Sequence, residues 1–296
     1  MKSYNKILLL GSTGFIGSGL IQSPLFSSYQ FLLPIRNKNY IGKTIKNLAY
    51  IDIEELTKQD IEKSEIIIYM LDDITLLKNS IEDIENYIGL KYLEFIVDNM
   101  KKNQHIIFLS SRMVYDPKNN IPVKETSKLF GRNIYSNIKI KQEKLIIELS
   151  TKKKFQYSIL RATNVYTTEH SSKARNIINV FVNNILKNKP LSIYGTGNQV
   201  RDYVNIKYLL IVIYYLIENS KENNIFNVGS NAGVTINEIV NFIQNSISKP
   251  LTIKKVDITV DESTFVADCT KIQKIIPYSY DLYEDIIGLL KDADVK

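Results

Sequence analysis

Three glycines near the start of the chain restrict the fold most strongly. The apolar run Lys6–Leu10 leads directly into Gly11, Gly14 and Gly17, which are spaced three residues apart. Glycine allows the backbone to turn sharply, and a helix that begins in such a turn points its positive end at a bound anion. The last glycine allows the helix to pack closely on the strand. The pattern therefore predicts a strand, a phosphate-binding turn and a helix that together hold a dinucleotide, with a purely structural turn as the alternative.

The residues of this turn are the first candidate cofactor-binding residues. We expect contacts with the cofactor from Gly11, Thr13, Gly14, Phe15, Ile16 and Gly17. The next apolar run, Phe31–Ile35, is followed by Arg36 and no acid, whereas an acid at this point grips the ribose of NAD. An arginine there pairs with the 2′-phosphate of NADP. NADP is therefore the expected cofactor, NAD is the alternative, and a solvated basic turn is the third interpretation.

Apolar runs and helix-length segments alternate through the first half of the chain. The runs are continuous, as expected for strands buried on both faces of a parallel sheet. They comprise Lys6–Leu10, Phe31–Ile35, Glu65–Leu71, His105–Ser110 and Tyr157–Arg161, and the predicted helices comprise Phe15–Gln22, Ile81–Lys102 and Asn133–Ser150. This alternation predicts an α/β fold with a doubly wound parallel (Rossmann) sheet.

The second half of the chain is more mixed and predicts a smaller C-terminal α+β domain. Helices are expected at Ile177–Leu186, Ile206–Glu218 and Tyr283–Leu290, with strands at Leu191–Tyr194, Asn224–Val228 and Leu251–Val256. Thr235 and Glu238 match a capping box at the start of another helix. We therefore expect a dinucleotide-binding domain over 1–165, with a return of 199–225 to it, and a substrate domain over 166–296.

Composition excludes several kinds of chemistry. The 296 residues include one Cys and two His, so an internal disulfide is impossible and we expect no metal site. The net charge is +7, but the basic residues are scattered among acidic ones, which argues against a nucleic-acid partner. The longest apolar run, Tyr208–Ile217, is far shorter than the ~20 residues that span a bilayer. We expect a cytoplasmic protein that does not bind membranes.

Candidate catalytic residues lie in two segments. Ser110 and Ser111 end a predicted central strand, and Tyr135 and Lys139 share one face of a predicted helix. A nearby ammonium lowers the pKa of a phenol, so Tyr135 is expected to exchange a proton with a carbonyl oxygen that Ser111 holds. The Tyr/Lys spacing alone is a weak signal in a chain this rich in both residues.

The order of these motifs resembles the extended short-chain dehydrogenase/reductase family, in its nucleotide-sugar epimerase/dehydratase/reductase branch. The glycine turn, the serine strand and the Tyr/Lys helix follow one another as they do in that family. Four later segments also resemble its pattern: Leu160–Tyr166, Ile193–Tyr203, Phe226–Ser230 and Val266–Asp268. The resemblance extends over nearly the whole chain.

The resemblance implies roles for individual residues. Ser111, Tyr135 and Lys139 would be catalytic. Tyr135 and Lys139 would also bind the cofactor, Lys139 at the nicotinamide ribose. A nucleotide-diphosphate sugar would be the substrate, and its expected contacts are Ser111, Arg112, Met113, Asn164 and Arg201. Leu71 would lie beside the cofactor, where Leu71 and Asp72 replace the family's usual pair of alanines. The helices over 81–102 and 133–150 would pair in a homodimer.

The two residues after Ser111 help to distinguish among the reactions that this family branch catalyses. The dehydratases of this branch resemble one another in an Asp-Glu pair there, whereas this chain has Arg112 and Met113. Together with Arg36, this favours NADPH-dependent reduction of a nucleotide-linked 4-keto sugar, expected to be 6-deoxy, with Tyr135 as the acid. By family analogy, such a product would serve polysaccharide biosynthesis. An NAD-dependent nucleotide-sugar epimerase is the alternative, and a non-catalytic NAD(P)-binding regulator is a second one.

Overall fold

A computed structural model describes most of the chain. The described residues are 6–36, 39, 42, 44–72, 84, 87–169, 173, 176–219, 222–248, 250–257 and 264–291. The chain divides into two compact units, which are treated separately below. The first comprises Met1–Asp116, Lys128–Arg161 and Leu210–Phe226, and the second comprises Pro117–Ser127, Ala162–Leu209 and Asn227–Lys296.

The described strands and helices have the following bounds. The strands are β1 (Lys6–Leu10), β2 (Gln30–Ile35), β3 (Thr44–Ile45), β4 (Leu48–Asp52), β5 (Ile66–Tyr69), β6 (His105–Ser111), β7 (Gln156–Ala162), β8 (Asn164–Tyr166), β9 (Leu191–Tyr194), β10 (Val200–Asn205), β11 (Asn224–Val228), β12 (Gly233–Thr235) and β13 (Ile253–Val256). The helices are α1 (Phe15–Gln22), α2 (Lys58–Glu62), α3 (Ile88–Asn99), α4 (Ile134–Lys153), α5 (Ile177–Leu186), α6 (Ile206–Asn219), α7 (Ile236–Ser246), α8 (Thr270–Gln273) and α9 (Leu282–Lys291).

The first unit is built on an eight-stranded sheet with the order β11-β7-β6-β5-β1-β2-β4-β3. The pairs β6–β5, β5–β1, β1–β2 and β2–β4 are parallel, and β3 pairs antiparallel with β4. Chain order reverses at β1, from which the sheet grows in both directions. The predicted α/β class and its doubly wound parallel sheet are confirmed.

Burial on both faces explains the continuous apolar strands. Leu8 and Leu10 of β1 have no exposed surface and pack in one cluster with residues of α3 and α4, including Leu93, Ile96 and Ile146. Ile7 and Leu9, which point to the opposite face, are equally buried. Because β1, β2, β5 and β6 run parallel, the loops that follow them all lie at the carboxyl ends of the strands, on the same side of the sheet.

The second unit has two small sheets and its own apolar core. β10 pairs parallel with β8 and antiparallel with β12, while β9 and β13 form a parallel pair. Phe181 of α5, Ile239 of α7 and Leu289 of α9 are buried together in this core. The predicted capping box is present at α7, where Thr235 accepts a hydrogen bond from Glu238 N at 3.0 Å.

Several elements differ from their predicted bounds. The helix expected over 81–102 is described over Ile88–Asn99, and residues 81–83, 85 and 86 lie outside the described residues. Tyr87 has an extended backbone, so the helix begins one residue later. The sequence patterns did not predict β3, β4 or α2. The second unit resumes at Ala162, where the sequence predicts a boundary after 165. The segment that returns to the first unit is Leu210–Phe226, where the sequence predicts 199–225.

Candidate active site

The glycine turn after β1 leaves no space for larger side chains. Gly11 has φ +88°, a left-handed conformation, and a Cβ there would lie 2.5 Å from the carbonyl oxygen of Met70. A Cβ at Gly17 would lie 2.2 Å from the carbonyl oxygen of Gly11. Gly14 N donates to Gly11 O at 3.0 Å, which closes the turn. Glycine is therefore required where the start of α1 packs against the end of β1.

The turn has the polar groups that a dinucleotide diphosphate needs. Gly14 caps α1 and has no side chain with which to accept from the helix's first N–H groups, which favours an anion at this end of the helix. Ser12 Oγ is buried and has no hydrogen-bond partner among the described residues. Both observations fit a bound phosphate. The other predicted turn residues lie around this site, with Thr13 exposed and Phe15 and Ile16 half-buried at the start of α1.

Two further predicted cofactor residues lie at the same edge of the sheet. Leu71 is adjacent to the turn, because a Cβ at Gly11 would be 3.0 Å from Leu71 N. Arg36 is the first residue after β2 and is exposed. Its neighbour Ile35 is paired with Asp52 of β4, an acid that lies outside the motifs of the sequence. The Asp52 carboxylate accepts a hydrogen bond from Glu54 N at 3.0 Å.

Ser111, Tyr135 and Lys139 lie together in the first unit. Ser111 is the last residue of β6, and Tyr135 and Lys139 lie one turn apart near the start of α4. The Ser111 hydroxyl hydrogen-bonds the Tyr135 phenol, and Lys139 Nζ lies 5.8 Å from the centre of the Tyr135 ring. Lys139 is fully buried and donates to the carbonyl oxygen of Leu109 at 2.6 Å. Strand β6 therefore holds the ammonium close to the phenol.

The carboxylate of Asp72, a departure from the family pattern, also contacts this cluster. Asp72 Oδ2 lies 2.9 Å from Lys139 Nζ and accepts a hydrogen bond from the Tyr135 hydroxyl at 3.3 Å. We expected the ammonium of Lys139 to lower the pKa of Tyr135. That expectation is wrong for this structure, because burial and then the negative charge of Asp72 raise the pKa well above its usual value.

A buried ion pair fixes α4 to the strands beneath it. Glu143, one turn after Lys139, accepts hydrogen bonds from Arg161 of β7 at 2.7 and 3.1 Å and from the hydroxyl of Ser110. Arg161 also donates to the hydroxyl of Tyr115 at 3.1 Å. These side chains are all buried. The network links the neighbour of Ser111 to the helix that carries Tyr135, which sets their separation.

The remaining candidate substrate residues lie in two places. Arg112 and Met113 form a short 3-10 helix directly after Ser111, where Met113 N donates to Ser111 Oγ at 3.2 Å. In the second unit, Asn164 of β8 donates to the carbonyl oxygen of Asp202 at 2.7 Å. Arg201 lies on the adjacent strand β10 and donates to Val200 O at 3.1 Å. Asn164 and Arg201 are therefore near neighbours within that unit.

The described His and Cys side chains are buried outside the Ser111/Tyr135/Lys139 cluster. His105 begins β6 and lies 3.0 Å from the hydroxyl of Ser158, and burial lowers its pKa to about 4. Cys269 is fully buried, and His170 lies outside the described residues. Within the described part of the chain, no cluster of three His, Cys, Asp or Glu residues suited to a metal ion occurs. A helix with the length and apolarity of a bilayer span is absent from the same residues.

Comparison with known proteins places these motifs in one family. The sequence model of the NAD dependent epimerase/dehydratase family matches residues 7–229, which include the glycine turn and the Ser/Tyr/Lys cluster. A putative UDP-glucose 4-epimerase of Methanocaldococcus jannaschii is 28% identical over 255 residues, covering 81% of this chain and 82% of the relative. The dTDP-4-dehydro-6-deoxyglucose reductase of Escherichia coli is 25% identical over 151 residues, covering 51% of this chain and 48% of the reductase.

A solved structure has the same fold over almost the entire chain. It is the UDP-glucuronic acid 4-epimerase of Bacillus cereus, in complex with UDP-glucuronic acid and NAD. The TM-score is 0.81 and the identity 21%, with 97% of this chain and 98% of the epimerase covered. At this identity the likeness establishes the fold and not the substrate.

Proposed function

The chain belongs to the NAD dependent epimerase/dehydratase family, and from that premise we propose that it reduces a nucleotide-linked 4-keto sugar with NADPH. The observation that carries the proposal is the Ser111–Tyr135–Lys139 cluster at the end of β6, where burial and then the negative charge of Asp72 raise the pKa of Tyr135 and so favour its neutral form. A neutral phenol can donate a proton at once. An epimerase must instead begin with a group able to remove one.

The described side chains supply the acid half of this reaction. Tyr135 donates its proton to the oxygen of the substrate ketone as that oxygen gains negative charge, and Ser111 hydrogen-bonds the same oxygen. When bound, the nicotinamide cofactor supplies the hydride that arrives at carbon 4 of the sugar. Lys139 holds positive charge beside the phenol and is the candidate contact for the nicotinamide ribose. Asn164 and Arg201 of the second unit are the candidate contacts for the substrate's nucleotide diphosphate.

Two departures from related enzymes favour reduction over dehydration and epimerisation. Arg112 and Met113 follow Ser111, so the acid pair that we associate with dehydratases is missing. Arg36 follows β2 and suits the 2′-phosphate of NADP, a cofactor that exchanges after each turnover. The similarity to a dTDP-4-dehydro-6-deoxyglucose reductase supports a 6-deoxy substrate. The main alternative is an NAD-dependent nucleotide-sugar epimerase, supported by the epimerases among its relatives.

The proposal includes a cytoplasmic homodimer that binds neither nucleic acid nor membranes and feeds polysaccharide biosynthesis. Exposed apolar residues on α3 support the dimer. Ile88 and Phe95 lie seven residues apart on one face of this helix, which the family resemblance places in a subunit interface. A second copy of the chain would cover them.

The direct test is to incubate the protein with NADPH and a panel of nucleotide-linked 4-keto sugars. We expect one equivalent of NADPH to be consumed for each alcohol formed. Tyr135→Phe removes the proton donor and should slow this reaction by about 10²- to 10⁴-fold while NADPH still binds. Tyr157→Phe, a change in β7 outside the cluster, is the matched control and should retain activity. If the 4-keto sugars are not reduced and nucleotide-linked 4-hydroxy sugars, added to the panel, are instead isomerised at carbon 4 without net NADPH consumption, the reductase is refuted and the epimerase is favoured. Nucleotide binding without turnover would favour the regulator.

A further inference from the structure

Asp72 contacts both members of the Tyr/Lys pair through one oxygen atom. Its Oδ2 lies 2.9 Å from Lys139 Nζ and 3.3 Å from the Tyr135 hydroxyl. The aspartate follows β5, 63 positions before Tyr135 in the chain. Lys139 has no exposed surface, whereas the Asp72 side chain is 23% exposed. A carboxylate in this position can control the protonation of the phenol without being part of the Tyr/Lys motif.

We propose that Asp72 is a positioning residue that keeps Tyr135 in its neutral, proton-donating form by pairing with Lys139 and accepting the phenol hydrogen bond. The inference rests on the proposed function, because it concerns the acid of that reaction. It adds a determinant that the Tyr/Lys spacing does not contain.

The charges around the phenol support this role. The carboxylate of Asp72 opposes a phenolate by like-charge repulsion, and it accepts a hydrogen bond that only the neutral phenol can donate. It also balances the ammonium of Lys139, whose Nζ lies 5.8 Å from the centre of the Tyr135 ring and would otherwise favour the phenolate. Among the other groups that face Tyr135, the Ser111 hydroxyl favours the phenolate and the Tyr87 phenol opposes it.

Removal of the carboxylate's charge should therefore change the titration of Tyr135. In Asp72→Asn, Lys139 keeps its hydrogen bond to Leu109 O but loses its counter-charge. Its positive charge then acts on the phenol alone. We expect Tyr135 to titrate at least one pH unit lower than in the wild type, a tenfold change in the ratio of phenol to phenolate.

The test is an ultraviolet titration of tyrosinate, recorded for each background with and without Tyr135→Phe. The difference isolates Tyr135 from the other tyrosines and requires no substrate. Asp72→Glu keeps the charge and should retain most of the wild-type titration. The matched control is Asp98→Asn, which removes an exposed carboxylate of α3 that is paired with Lys153 of α4. It should leave the titration of Tyr135 unchanged.

The same variants are then assayed for NADPH-dependent reduction across pH. In Asp72→Asn the alkaline fall in kcat/KM should move down by at least one pH unit, because the neutral phenol is lost earlier. If Tyr135 titrates alike in Asp72→Asn and the wild type, or moves equally in Asp98→Asn, the role of Asp72 is refuted even if the enzyme is a reductase. If the titration moves but no keto sugar is reduced, the proposed function fails and the role of Asp72 stands.

Discussion

At the scale of single residues, the Tyr135/Lys139 motif can be read from local sequence, whereas the charges around Tyr135 depend on the folded chain. The Tyr135–Lys139 spacing in the sequence correctly predicted two side chains on one helix face near Ser111. It wrongly predicted the direction of the pKa shift of Tyr135. The causes are burial of the phenol and then Asp72, a residue far away in the chain whose approach depends on the loop after β5. A local motif can identify reactive groups, but their charges depend on contacts that only the folded chain brings together.

Arg36 provides a residue-scale test of cofactor choice. If its guanidinium binds the 2′-phosphate, Arg36→Ala should lower kcat/KM for NADPH by about 10- to 100-fold, the effect of losing one charge-assisted hydrogen-bonded pair. The kcat/KM for NADH should change little, because NADH lacks this phosphate. Steady-state kinetics with both cofactors measures the difference.

The control for Arg36→Ala is Lys58→Ala, which removes one exposed positive charge from α2. It should leave the preference for NADPH unchanged. Equal losses with NADPH and NADH in Arg36→Ala would show that Arg36 does not read the 2′-phosphate.

At the scale of elements, the sequence predicted best where periodicity and a clear boundary coincide. β1, α1 and α5 have their predicted bounds, because each is a distinct apolar run or an amphipathic segment next to a capping residue. β4 and α2 were missed because they are only five residues long and half-exposed, so their apolar pattern is weak. The short 3-10 helix after Ser111 was missed too, since its start depends on the Ser111 side chain accepting from Met113 N.

Helix α4 contains a buried glutamine, Gln142, whose side-chain amide lacks hydrogen bonds among the described residues. Gln142 has no exposed surface, and neither its amide nitrogen nor its amide oxygen has a hydrogen-bond partner among the described residues. An unsatisfied buried amide costs about 1–3 kcal/mol. Gln142→Met, which keeps the length of the side chain, should therefore raise the free energy of unfolding by about that amount, as measured by urea denaturation.

A second buried glutamine provides the matched control. Gln104 donates from its amide nitrogen to Ile61 O at 2.6 Å and to Ser64 O at 2.5 Å, and it accepts from Lys101 N at 2.6 Å. Gln104→Met should lower the free energy of unfolding, because these partners lose their hydrogen bonds. If Gln142→Met destabilises the protein as much as Gln104→Met, Gln142 is satisfied in the folded protein and the account of α4 is wrong.

At the scale of the whole molecule, the sequence predicted the fold class, and its few His and Cys residues favour the proposed chemistry based on Tyr, Ser and Lys. The division into units has a weaker sequence signal, because the chain crosses between them several times. Residues 117–127 belong to the second unit although the strands on either side of them in the chain belong to the first. Such crossings depend on long-range pairing, for example that of Val123 with Ala267, which has no local sequence signal.

The central claim is that the protein transfers hydride from exchangeable NADPH to a ketone. The most direct measurement uses NADPH deuterated at the transferred position together with a nucleotide-linked 4-keto-6-deoxy sugar. We predict that each NADPH consumed leaves one deuterium on carbon 4 of the sugar product, detected by mass spectrometry and proton NMR. Failure to form the alcohol while the labelled NADPH stays unconsumed, together with inversion of a nucleotide-linked 4-hydroxy sugar at carbon 4 without incorporation of deuterium, would contradict the account.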